Sequence, residues 1–263
     1  MFINPNVYAD LNHLYMLNFS VSQQVLRPRV PKCLQLVTKN GRAFPSIVLP
    51  RIENLRSVHF SWPRFNYEFM GVRILVQYKS KTNDWMKGIY FDRLFMDPNR
   101  VRLLANVMTD FHFERATVLK SQGADKWKRI SVRREPGATL LSAECMPAGE
   151  GASLPLPDDS AFESAAEAKR MFNDIAFGFL PGKISRGRLN ILQIADPHPD
   201  YEKWPLVEMC VRSLSASIPG LPIDQCILEP SYYVGALPRW WRWAGAEMIQ
   251  ESPALEAAAS LAS

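Results

Sequence analysis

The sequence predicts a mainly β protein of the α+β class, on three observations. Short runs rich in Val, Ile, Phe and Tyr recur along the 263 residues, and Gly, Pro, Asn and Asp punctuate them at strand-like spacing. Only a few short segments carry an apolar stripe at the helical period. Hydrophobic residues make up 47% and charged residues 22% of the chain, ordinary usage for a packed core, which excludes wholesale disorder and fibrous classes.

The elements follow in order. His13–Phe19 reads as a strand, and Ser22–Leu26 as a short extended segment ended by Pro28. Residues 33–39 and 42–49 flank Asn40-Gly41, whose tolerance of positive φ suits a two-residue type I′ hairpin. Pro45 lacks a donor, so an edge position or a bulge is expected there. Residues 72–79 and 87–96 form an antiparallel pair across the polar connection 81–84.

Asp97-Pro98 opens a short helix, and Val101, Leu104, Ala105 and Met108 supply a stripe that should cover an opening or edge of the sheet. Strands resume at 112–120, 127–134 and 139–145. The Pro-, Gly- and Ser-rich stretch 147–159 is expected to be a surface loop within one domain. Ser160 and Glu163 match a capping box for an amphipathic helix through Ala176, stopped by Gly178. Strands at 187–194 and 225–229 bracket an expected helix at 207–213. Residues 1–245 are assigned to a single domain, and 246–263, rich in Ala, Ser and Glu, to a flexible tail.

Every hydrophobic run is broken by Lys, Arg, Asp or Pro well short of the roughly 18 residues a spanning helix needs. The amino-terminal segment lacks a basic region followed by an apolar stretch, so a cytoplasmic location without membrane contact is expected. Cys33, Cys145, Cys210 and Cys226 are scattered, as reduced thiols would be. The net charge of +5 is spread among acidic residues. A small anionic ligand accounts for it as well as a nucleic acid does, and no nucleic-acid partner is expected.

Several segments resemble one known family. Asn18–Val21 with Val25–Leu34 is similar to the opening of acetoacetate decarboxylase and its relatives. Tyr67–Arg73 and Gly88–Phe91 resemble two strands of a largely uncharacterised branch of that superfamily. Phe172–Phe179, Gly187-Arg188 and Trp204-Pro205-Leu206 resemble its helix, its Gly-Arg strand and its Trp-Pro-Leu sequence. The matches keep their order over roughly residues 13–243. The resemblance implies a closed β barrel or double sheet, with an interior cavity for a small carboxylate or carbonyl compound and a few covering helices.

One departure concerns the chemistry. The family's Pro-Lys-Lys segment supplies a lysine that forms an imine with its substrate. The corresponding stretch here, Asp110–Arg115, has no lysine, and Lys120 lies five residues further along a strand that advances about 3.3 Å per residue. The expected activity is therefore of lyase, cyclase, hydratase or isomerase type with acid–base assistance and without that lysine. A binding protein of the same fold is the alternative.

The candidate residues follow. His112 and Glu114 share a face by two-residue alternation and form either an acid–base pair in a cavity or a solvated surface pair. Arg73 interrupts an apolar strand. It is expected to meet a carboxylate, either the substrate's or that of Glu68, which is also a catalytic candidate. Arg115, Tyr90 and His59 complete the expected substrate contacts. Asp196, His198 and Asp200 resemble a metal triad, but the intervening prolines disperse them, so no metal and no other cofactor is expected. The Arg239–Trp243 cluster is expected to pack a strand against its sheet. The expected partner is a small molecule, and self-association is compatible with the sequence.

Overall fold

A computed structural model describes residues 6–59, 62–97, 99–122, 127–134, 137–149, 154–173, 175–181, 188–195 and 206–248. Strand β1 (Val7–Ser22) leads into one helical turn, α1 (Gln23–Leu26), and a 3-10 turn at Arg27–Arg29. The segment after Ser22 is thus helical, not extended. Pro28 is accepted inside the 3-10 turn, and Arg27 donates to the carbonyls of Val30, Pro31 and Leu34 beyond it.

Short strands β2 (Gln35–Leu36), β3 (Thr38–Lys39) and β4 (Arg42–Ala43) precede the long β5 (Pro45–Ser57), β6 (Phe65–Lys79) and β7 (Trp85–Asp97). Asn40 and Gly41 both have positive φ, 52° and 74°, as the expected hairpin turn requires. Pro45 needs neither an edge nor a bulge. It is the first residue of β5, which pairs with β1 on one side and β6 on the other.

Helix α2 (Asn99–Met108) is followed by β8 (Phe113–Gln122), β9 (Lys128–Arg134), β10 (Ala138–Pro147) and helix α3 (Ala165–Asn173). The capping box lies four residues later than Ser160. Ser164 Oγ accepts the Glu167 N–H at 3.2 Å, because the Ser160 hydroxyl is given to the buried carboxylate of Glu229 at 2.6 Å. Then come β11 (Phe177–Pro181), β12 (Arg188–Ala195), β13 (Val207–Ala216) and β14 (Ile227–Met248).

The expected helix at 207–213 is therefore strand β13. Val207, Met209 and Val211 fit a period of two, and pairing with β10 and β14 decides between the periods. The last strand continues to Met248, beyond the expected start of the tail, because its far half pairs with β12. Residues 196–200, the rejected metal triad, lie outside the described residues.

Among the described residues the strands close two circuits. One runs β1-β14-β12-β11-β7-β6-β5 and back to β1, and the other runs β1-β14-β13-β10-β9-β8-β7-β6-β5. Five strands belong to both. Successive residues on these strands therefore face different lobes. On β6, Met70, Val72 and Ile74 enter the larger lobe's core, while Tyr67, Phe69 and Leu75 pack in the smaller one. Among the described residues, the charged side chains that are buried are Arg73, Asp110, Glu229 and Arg239.

Candidate functional site

The seven-stranded circuit encloses a cavity of about 410 Å³. Leu11 and Leu14 of β1, Val48 and Ile52 of β5, Phe91 of β7 and Leu192 of β12 contribute apolar walls. Helix α2 closes part of its mouth with Val101, Leu104 and Ala105, so the expected covering role of that stripe is met. No Lys, His, Asp, Glu or Cys lines the cavity among the described residues.

Three arginines break this apolar lining: Arg56, which is half-buried, and two that are buried. Arg73 on β6 is 7% exposed, and Arg239 on β14 is 2% exposed, and both reach the cavity. Arg73 donates from Nη2 to Met16 Sδ at 3.2 Å, a weak acceptor, and its Nε has no hydrogen-bond partner among the described residues. Burial, together with the neighbouring Arg239 charge, pushes the Arg73 guanidinium down to about 10. The wall is thus electropositive, and no acidic side chain among the described residues lines it. Thr109, Ser57 and Tyr67 add hydroxyls, and burial raises the Tyr67 phenol above its ordinary range.

Of the seven residues singled out from sequence, the structure brings Arg73 to the cavity and places the other six elsewhere. Glu68 stands five residues from Arg73 on the same strand, hence on the opposite face, and pairs with Lys120 in the larger lobe at 3.3 Å. Glu114 is held by Arg93 at 2.7 Å and Arg134 at 2.9 Å. His112 precedes β8 and is exposed, as are Arg115 and His59. Tyr90 is buried but faces away from the cavity that its neighbours Ile89 and Phe91 line. Its phenol is pushed up to about 12, chiefly by burial and then by Asp92.

The segment 110–115, where the family's imine lysine is expected, reaches the cavity through Phe111 and Phe113. Lys120 Nζ instead lies 3.2 Å from the Leu49 carbonyl and over the Tyr15 ring, inside the larger lobe. Desolvation lowers its pKa, and Glu68 offsets part of that. Sequence reasoning missed Arg239 and Trp241. The signal was available in the two-residue alternation of the Arg239–Trp243 cluster, which sends Arg239 and Trp241 into the cavity and leaves Arg242 exposed.

The DUF2071 family, described as an uncharacterized conserved protein, matches residues 8–190, well over half of the sequence. The chain belongs to the DUF2071 family. Solved structures then place this DUF2071 member in the acetoacetate decarboxylase-like fold. The enduracididine biosynthesis enzyme MppR, complexed with pyruvate, aligns with a TM-score of 0.60 at 10% identity, over 94% of this chain and 91% of its own. Acetoacetate decarboxylase from Legionella pneumophila gives 0.59 at 12% identity over 94% and 90%. An acetoacetate decarboxylase-like enzyme from Sphingomonas wittichii RW1 gives 0.59 at 9% identity over 95% and 94%. No curated protein matches the sequence. The family match ends at residue 190, so Arg239 and Trp241 lie outside it.

Proposed function

We propose that this DUF2071 protein takes up a small carboxylate with an apolar body, holding the carboxylate at Arg73 and Arg239 without forming an imine. A single observation carries the reading: the buried guanidinium of Arg73 faces an otherwise apolar cavity with its Nε unpartnered among the described residues, and a second buried arginine, Arg239, lines the same space. A cation removed from water demands a counter-charge, and a ligand carboxylate supplies one in the bidentate geometry arginine favours. The volume suits a compact organic acid with its tail against the aliphatic and aromatic walls. MppR, which shares the fold, is described with pyruvate, itself a carboxylate.

The lining favours binding over acid–base turnover. A lyase-, hydratase- or isomerase-type reaction needs a group that moves a proton. Here the cavity carries arginines that remain cationic at neutral pH, a phenol raised by burial, and two hydroxyls. An enzyme working in this space would rest on stabilisation of developing negative charge by Arg73 and Arg239.

Calorimetric titration with aliphatic and aromatic monocarboxylates, each against its methyl ester, tests the reading. The acids are expected to bind at least about tenfold more tightly than the esters, and Arg73→Met is expected to erase that preference, since truncating one side of a buried charge pair costs roughly 2–5 kcal/mol. Equal binding of acid and ester would remove the proposal. Borohydride treatment in the presence of a keto acid is expected to leave every lysine unmodified, and a trapped adduct would restore imine chemistry.

A further inference from the structure

The mouth of the cavity is built from residues 56–59 and 62–64 and from helix α2, which supply Arg56, Trp62, Pro63, Val101 and Leu104 to its lining. Between them they contain Arg56, Arg64, Arg100 and Arg102 and no Asp or Glu. With the exposed Asp97 just before α2 counted against these four arginines, the rim carries a formal charge of +3, more than half of the +5 of the whole chain. The apolar side chains are as concentrated. Trp62 is 81% exposed, Leu103 57% and Val107 62%, with Val58 and Leu104 also exposed. Among the described residues only Trp85 and Leu119 are large exposed apolar side chains elsewhere.

We propose that this rim docks on an anionic lipid bilayer, from which the cavity's ligand enters and to which it returns. Leu103 and Val107 stand one helical turn apart on the outer side of α2, the spacing of an amphipathic face that lies at a membrane surface. Arginines interleaved with Trp, Leu and Val match the two demands of such a surface, headgroup phosphate and acyl boundary. Trp62 and Leu104 are at once exposed and cavity-lining, so the patch runs unbroken into the cavity, and an apolar carboxylate can pass without crossing open water. A second copy of the chain fits less well, because a two-fold interface would set this net-positive rim against itself. No helix among the described residues is long and apolar enough to cross a membrane, so α2 rests on the surface. The inference replaces the sequence expectation of no membrane partner. It rests on the carboxylate reading for what travels, and on the rim alone for where the protein sits.

Co-sedimentation of the full chain with phosphatidylcholine vesicles, with and without phosphatidylglycerol, tests it. The protein is expected to pellet with the anionic vesicles, more weakly as salt is raised, and to stay in solution with the neutral ones. The double variant Leu103→Asp/Val107→Asp is expected to lower vesicle binding by about tenfold or more while carboxylate titration in solution is unchanged. Leu103→Ala/Val107→Ala, which adds no charge, is expected to fall between. Failure of wild type to prefer anionic vesicles, or undiminished binding by the double variant, would overturn the proposal. So would a wild-type dimer in sedimentation that the double variant dissolves, because the face would then join two copies. The carboxylate titration reports separately on the cavity, so loss of one reading is distinguishable from loss of the other.

Discussion

Arg73 is a cation on a strand that is apolar on both sides of it, and its energetics follow from that placement. A base whose folded-state pKa is depressed opposes folding wherever it is charged. With the guanidinium pushed down to about 10, the penalty is fully present at neutral pH and fades only as pH rises beyond that value. The shift corresponds to about 3 kcal/mol. Arg73→Met, similar in length and free of charge, is therefore expected to raise the unfolding free energy of the ligand-free protein by ~1–3 kcal/mol. Denaturant melts at pH 7 measure this directly, and a destabilised Met variant would show that the guanidinium already has a counter-charge. In sequence Arg73 was legible because a lone charge in a Val- and Leu-rich strand needs an explanation. Arg239 was not, because the tryptophans around it read as packing. His112 and Glu114 misled, since alternation gives a shared face but not which side of the sheet that face meets.

At the scale of elements, the closure of the cavity depends on the parallel pairing of β11 with β7. Gly88 faces Phe177 across that seam, and a Cβ added at Gly88 would come within 2.2 Å of the Phe177 carbonyl oxygen, a backbone atom that cannot move without breaking the ladder. Gly88→Ala is expected to cost about 2–4 kcal/mol and to weaken ligand binding with it. Gly149, with open space around its absent side chain and no positive φ, lies beyond β10 and outside this seam, and serves as a comparison. Urea melts of both variants check the difference, and equal losses would remove the seam from the account. Such a seam joins residues 88 and 177 and leaves no local sequence signal. The Asn40-Gly41 turn and the β6–β7 pair were legible because their determinants are neighbours in sequence. Strand β13 was misread because its few apolar residues fit either period, and its partners lie far along the chain.

For the whole molecule, sharing β1, β5, β6, β7 and β14 between both circuits means that neither lobe keeps its walls if the other opens. Calorimetric unfolding is expected to show one transition with equal van't Hoff and measured enthalpies, shifted upward as a whole by a bound carboxylate. Two separated transitions, only one of them ligand-sensitive, would show that the shared strands do not couple the lobes. Strand β14 (Ile227–Met248) bonds to β1, β12 and β13, and it carries Arg239 and Trp241. Until this strand pairs, the smaller circuit is an open trough and Arg73 lacks Arg239 beside it. On the carboxylate reading, a ligand can therefore be held between the two arginines only once β14 has zipped into place, so closing the wall and completing the binding site become one event.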